Sequence, residues 1–268
     1  VNSGEPGPAI VVEDVHLRFG RTEVLRGVSF EVRRGETLCI LGGSGGGKST
    51  LLKVMIGNLR PTSGKVIIDG EDISRMEERD LNRVRRKFGV MFQLGALLNS
   101  MSVAENVALP LEYHTRLDKE TIGTMVKIKL KQVDLFHAAD RRPSQISGGM
   151  QKRAAVARAL ALDPRILFYD EPSAGLDPIA TTRIDQLVNM LKQNLRMTSI
   201  VVTHVMESVF RIADHVVMLE KGRVLLDGTL QDLRSSPLPS VQQFVSGEFL
   251  PPEAGGMRDE AFIKDLLM

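Results

Sequence analysis

Gly42-Gly43-Ser44-Gly45-Gly46-Gly47-Lys48-Ser49-Thr50 is the stretch that decides the fold of this chain. It satisfies G-x-x-x-x-G-K-[ST], the Walker A phosphate loop. A phosphate needs many N–H donors, and only a backbone nearly bare of side chains can wrap closely around it. Gly42, Gly43, Gly45, Gly46 and Gly47 allow that approach and the positive-φ turns it requires. Lys48 can reach the β- and γ-phosphates, and the Ser49 hydroxyl can sit on Mg²⁺. Upstream, Thr37 to Leu41 reads as a buried strand. Downstream, Leu51, Leu52, Val54, Met55 and Ile56 read as a helix whose N-terminus faces the anion. A loop between strand and helix is the setting this motif requires.

Further along, Arg165 to Glu171 reads Arg-Ile-Leu-Phe-Tyr-Asp-Glu. A buried strand here would deliver Asp170 at its C-terminal end, where open α/β sheets bind ligands. Asp170 fits the Walker B acid that orients Mg²⁺, and Glu171 can polarise a water against the γ-phosphate. Ser147-Gly148-Gly149-Met150-Gln151 precedes an alanine-rich run, Arg153 to Leu162, that reads as a buried helix. Ser147 can cap that helix, and the two glycines expose N–H groups, which makes a second anion site.

The rest of the chain supports one large α/β unit. Its 268 residues are 43% hydrophobic and 25% charged, with a net charge of +2. That is ordinary globular composition, and no broad basic field suggests a nucleic-acid partner. The run Arg83, Arg85, Arg86, Lys87 lies beside Glu77, Glu78 and Asp80 and reads as a solvated helix face. The single Cys39 excludes an intrachain disulfide and reads as a buried thiol. No stretch reaches the roughly 18 consecutive apolar residues of a membrane span. Residues 1–9 lack the apolar core of a secretory signal and read as a flexible tail.

Ile10 to Phe19, Val28 to Val32 and Lys65 to Ile68 read as strands of an antiparallel group. Val90-Met91-Phe92 is a short apolar run ending at Gln93. From Gly95 to about Leu162 the periodicity turns helical, with Ile122, Met125, Val126, Leu130 and Val133 on one face. Ile166 to Tyr169, Ile200 to Val202 and Val216 to Leu219 read as core strands. Ile179 to Leu195 and Val205 to Ile212 read as the helices between them, a pattern that predicts a mainly parallel sheet.

At Ile146 to Met150 the sequence resembles the ABC-transporter ATPase family, whose signature reads Leu-Ser-Gly-Gly-Gln. Ile146 stands for Leu and Met150 for Gln, while Ser147 and Gly149 remain. The resemblance spans about Ile10 to Gly247. It implies a P-loop NTPase fold of the ABC type, with a mainly parallel core sheet, an antiparallel β subdomain and an α-helical subdomain over about 95–162. It implies roles as well: Phe19 as the aromatic that stacks on adenine, or else a plain strand residue, and Gln93 as the Q-loop glutamine that senses the γ-phosphate and metal. Asp177, in Ser173 to Asp177, would be the D-loop acid crossing to a second protomer, and His204 the switch histidine. The other histidines match no family position. The implied cofactors are ATP and Mg²⁺. The implied assembly is a head-to-tail homodimer, or a heterodimer with a similar ATPase, in which each signature closes over the partner's ATP.

Met91 to Val103, the Ser147 to Ala154 segment and Val241 to Gly247 are similar to the ATPases of Mla/MCE-type phospholipid transport systems. This implies work with integral-membrane permease subunits at the cytoplasmic face of the inner membrane. It implies movement of phospholipid to or from an MCE-domain partner and a part in outer-membrane lipid asymmetry. Leu94 to Leu98 would either line the groove that receives the permease or pack into the core. Within residues 248–268, Phe262, Ile263, Leu266 and Leu267 form an apolar stripe, read as an inter-protomer contact or a disordered tail. Two other readings stay open: the ATPase of a polar-solute importer of the amino-acid type, and a non-transport ABC ATPase.

Overall fold

The computed structural model describes residues 7–247. Residues 1–6 of the tail expected over 1–9, and the C-terminal segment 248–268 with its apolar stripe, lie outside the described residues. Ala9, at the inner end of that expected tail, is instead fully buried, its N donating to Val32 O at 2.8 Å. Along the chain, β1 (Ile10–Phe19) and β2 (Thr22–Val32) form a hairpin, and β3 (Thr37–Leu41) runs through the glycine loop into α1 (Lys48–Met55). Next come β4 (Ser63–Ile68), β5 (Glu71–Asp72), α2 (Glu78–Arg85) and β6 (Phe88–Met91). The helices α3 (Val103–His114), α4 (Lys119–Gln132) and α5 (Gly148–Ala159) follow. Then β7 (Ile166–Asp170), α6 (Pro178–Leu195), β8 (Thr198–Val202), α7 (Met206–Ile212) and β9 (His215–Glu220) alternate. β10 (Arg223–Gly228), α8 (Leu230–Ser235) and α9 (Pro239–Ser246) complete the described chain.

The strands sort into two sheets. One is antiparallel, in the order β2-β1-β4-β5; the other runs β10-β9-β3-β8-β7-β6, parallel except for β10. Within the parallel sheet Ile40 lies opposite Val202, and Val202 opposite Asp170. That register brings the ends of β3, β7 and β8 to one edge, so the glycine loop, Asp170-Glu171 and His204 emerge together. The bonds continue past the strands: Glu171 N donates to Val202 O at 2.9 Å and Thr203 N to Ile40 O at 3.3 Å.

Alternation by two residues packs both faces of this sheet. Cys39, Leu41, Leu167, Tyr169, Val201, Val216 and Met218 face a cluster with α3, α4, α5 and α6. Leu38, Ile40, Ile166, Phe168, Ile200, Val202, Val217 and Leu219 face α1 and the antiparallel sheet. Cys39 is fully buried in the first cluster, and burial pushes its thiol pKa far up, so it is an inert core residue.

Several elements differ from the sequence reading. β6 ends at Met91, and Phe92 stands half exposed beyond it. The segment from Gly95 to Met101 is a loop, held by the buried Asn106. The Asn106 side chain accepts from Leu98 N and donates to the carbonyls of Leu98, Met101 and Ser102. Helix α3 then starts with a Ser102/Glu105 capping box. The predicted helix after the Ser147 motif starts earlier than Arg153, at Gly148, and ends at Ala159. It lies close on β6 because Gly89 has no side chain: a Cβ there would sit 2.2 Å from Ala159 O. Within the basic run, Arg83 and Lys87 pair with Glu71 and Arg85 with Glu78.

Candidate functional site

The phosphate loop is set by backbone conformation. Gly42, Gly45 and Gly47 have φ of 139°, 74° and 101°, whereas Gly43 and Gly46 need no positive φ, a narrower demand than the sequence suggested. Gly42 is obligatory on a second count, since a Cβ there would lie 2.1 Å from Leu219 O. Ser44 lies exposed on the loop; Ser49 and Thr50 sit in the first turn of α1. No side chain caps α1, whose N-cap is Gly47, so its first N–H groups remain for an anion. Lys48 folds back over the loop and donates to Gly42 O at 2.7 Å and Gly43 O at 3.0 Å. Burial lowers the Lys48 pKa, and Glu171 and Asp170 act against that shift.

The acids end β7. Burial raises the Asp170 pKa, Glu171 beside it raises it further, and Lys53, Lys152 and Lys48 oppose the rise. Asp170 Oδ1 is buried with no hydrogen-bond partner in the protein. An orphaned carboxylate oxygen beside a like charge is a site that a cation would relieve. Glu171 adopts a left-handed backbone, φ 48°, rare for a side chain of its size. His204 Nδ1 lies 2.9 Å from the Glu171 carboxylate, and the imidazole is otherwise exposed. Gln93 is exposed just past β6, and Phe19 is 52% exposed at the end of β1.

The second anion site expected from the sequence lies elsewhere. Ser147 is the N-cap of α5, its Oγ accepting from Met150 N at 3.3 Å, with Gly148 and Gly149 forming the first turn. Gln151 Nε2 donates to Pro143 O at 2.9 Å, which fixes the approach to that turn. Asp177 caps α6, accepting from Ile179 N and Ala180 N at 2.9 Å each. Ser147, Gly149, Met150 and Asp177 line a cleft of about 520 Å³. The phosphate loop, Gly45 to Thr50, lines another of about 230 Å³, and the two share no residue. One chain therefore joins Lys48, Asp170, Glu171 and His204, and leaves Ser147 to Gln151 and Asp177 apart from them. Leu97 packs into the core, while Leu94 is 91% exposed and Leu98 47%.

Sequence reasoning missed the cations on α5. Lys152 reaches from that helix to the carbonyl of Gln93, and Arg158 to those of Gly95 and Ala96. The available signal was a lysine and an arginine inside a run of buried alanines.

Residues 25–174 match the ABC transporter family. The chain belongs to the ABC transporter ATPases. It is 39% identical over 257 residues to the intermembrane phospholipid transport system ATP-binding protein MlaF of Haemophilus influenzae, covering 96% of this chain and 97% of that protein. It is also 39% identical to the probable ribonucleotide transport ATP-binding protein mkl of Mycobacterium leprae, over 95% of this chain and 73% of that one. Among solved structures, the dimeric post-hydrolysis state of the ATP-binding cassette MJ0796 bound to ADP and Pi superposes with a TM-score of 0.76. That match is 32% identical and covers 82% of this chain and 98% of the cassette. The cbiO1 structure from Clostridium perfringens gives a TM-score of 0.79 at 31% identity, covering 85% and 91%. As an ABC ATPase, the chain hydrolyses ATP to drive transport, and cassettes of this family form dimers and work with membrane permeases. Among the described residues no helix is long and apolar enough to cross a membrane.

Proposed function

We propose that this chain powers phospholipid transport as a head-to-tail homodimer docked on permease subunits, moving lipid between the inner membrane and an MCE-domain partner. The observation that carries the substrate is the end-to-end match to MlaF, at 39% identity with nearly complete coverage of both chains. The mkl relative, equally identical, favours a second reading, a polar-solute transporter, but extends well beyond this chain.

Residues 10–247 form the ATPase body in this reading, with the helical lobe at about 95–162. Lys48 turns from the Gly42 and Gly43 carbonyls to the β- and γ-phosphates, which the N–H groups of the glycine loop and of α1 surround. Phe19 offers its exposed ring to adenine. Ser49, Gln93 and Asp170 would hold Mg²⁺, and the orphaned Asp170 Oδ1 is the feature that fits it. Bound there, the ion offsets charge on the phosphate oxygens. Glu171 takes the proton of the attacking water, and His204 at 2.9 Å holds that carboxylate in line. Ser147, Gly148 and Gly149 of the partner, with Met150 and Gln151 behind them and Asp177 alongside, close over the γ-phosphate from the other side. Two clefts on one chain that share no lining residue support that arrangement.

Two measurements test this. Glu171→Gln should bind ATP with parental affinity and lose turnover by about 10²- to 10⁴-fold; parental turnover would remove Glu171 from its role. Gentle extraction of the tagged chain, with mass spectrometry of what accompanies it, tests the substrate. An MCE-domain protein, a permease and bound phospholipid are expected. A permease with a solute-binding protein would retain the ATPase and overturn the lipid. A chain without membrane partners, from extracts where the complex survives, would favour the non-transport reading.

A further inference from the structure

Lys152 is 8% exposed, in a helix where Ala154, Ala155, Val156 and Ala157 are fully buried. Lysine is seldom so buried unless paired with an acid. Among the described residues no carboxylate lies within ion-pair distance of it. Its Nζ donates instead to two backbone carbonyls, that of Gln93 and, at 3.3 Å, that of Glu171. These follow the adjacent strands β6 and β7. Burial lowers the lysine's pKa, and Glu171 and Asp170 oppose the shift.

The carbonyl it binds belongs to the residue with the left-handed backbone. Among the described residues Glu171 O otherwise receives only Ala174 N, at 3.2 Å. Holding that carbonyl fixes the turn, and the turn fixes where the Glu171 side chain departs. Helix α5 grips the other strand's exit as well: Arg158 donates to Gly95 O at 2.8 Å and Ala96 O at 2.6 Å. Ser147 caps the same helix five residues before Lys152, about 7.5 Å along the axis. One helix therefore carries both the Ser147 cap and the donor to the Glu171 carbonyl.

We propose that Lys152 is a positioning residue for hydrolysis: by bridging the Gln93 and Glu171 carbonyls it locks the turn that aims the Glu171 carboxylate and ties that aim to the seat of helix α5. This rests on the reading of Glu171 as the base. Lys152→Met keeps the length and apolar stem and removes the donors. Lys152→Arg keeps the charge and restores donors. Lys129→Met is the control, a second buried lysine on α4, paired with Asp163 away from the acids.

ATP turnover is measured on the full chain purified with the membrane subunits that accompany it, beside Glu171→Gln. Lys152→Met should lower kcat by about 10- to 100-fold with KM for ATP within about threefold. Lys152→Arg should recover most of the rate, and Lys129→Met should hold kcat within about threefold of the parent. Parental kcat in Lys152→Met beside a dead Glu171→Gln overturns the proposal and leaves the base reading intact. Equal losses in the Lys152 and Lys129 variants also overturn it, by showing only a generic packing defect. Parental turnover in Glu171→Gln removes the base reading and this inference with it. If Lys152→Met does not fold, Lys152→Gln replaces it. An intermediate kcat at unchanged KM supports the proposal, and the parental rate overturns it.

Discussion

Two glycines of the phosphate loop separate motif from mechanism at the scale of single residues. Gly45 has φ 74° and nothing within 4 Å of where a Cβ would stand; Gly42 has φ 139° and a carbonyl at 2.1 Å. Gly45→Ala should therefore lose only the left-handed strain of an L residue, about 1–2 kcal/mol. Gly42→Ala must in addition push Leu219 O away, for a loss on the order of 3 kcal/mol or more. Denaturant unfolding of the full chains reads this directly, and equal losses would reject the steric argument. The motif spacing identified the loop, its lysine and its hydroxyl. It could not rank the glycines, because the obstacle to Gly42 comes from β9, far along the chain. Lys152 escaped for a similar reason. Its partners are main-chain carbonyls, which no side-chain pattern reports.

Elements were legible where periodicity was strong and long. The parallel strands announced themselves as continuous apolar runs, because both of their faces are buried. Helix α2 showed only through its charges, as a solvated face: its eight residues are nearly all charged or polar, with Leu81 and Val84 alone buried. β10 was not legible, since it lies at the sheet edge and most of its residues are half buried, without alternation. One element end carries a titration that the sequence left unassigned. His215 begins β9, at the opposite end of the strand from the site, with Nδ1 3.4 Å from Glu36 and Nε2 2.5 Å from Asp227. Glu36 and Asp227 raise its pKa above 6.5 against the effect of burial. Nearby, Asp214 is held by Thr37 N and Lys192. A raised folded-state pKa places the stabilisation below the unfolded pKa, and it fades as pH climbs through the higher folded value. The parent should therefore melt above His215→Gln at about pH 6, with the gap closing towards about pH 9. A gap that stays constant with pH would mean that the imidazolium contributes nothing.

The whole molecule is organised by two sheets that clasp one loop. Arg26 N of the antiparallel sheet donates to Gly222 O, and Gly222 N donates to Gly46 O, so the β9–β10 turn links β2 to the phosphate loop. The sequence could name the strands but not this clasp, which depends on how the two sheets meet. That the Ser147 turn serves a partner's loop came from the family resemblance and not from the pattern of residues itself. The separate clefts favour the partner, and that choice has a genetic consequence. Lys48→Ala disables a phosphate loop and leaves a sound signature; Ser147→Arg blocks a signature and leaves a sound loop. Each variant alone should be inactive under either arrangement. In a dimer of one chain of each kind, head-to-tail pairing puts both defects into one composite site. The other site then combines the intact loop of the Ser147→Arg chain with the intact signature of the Lys48→Ala chain. Mixed dimers purified through two different tags should thus hydrolyse ATP in a single turnover at about half the parental number of sites. If each signature closed over its own loop, every site in the mixed dimer would carry one defect, and no turnover would return.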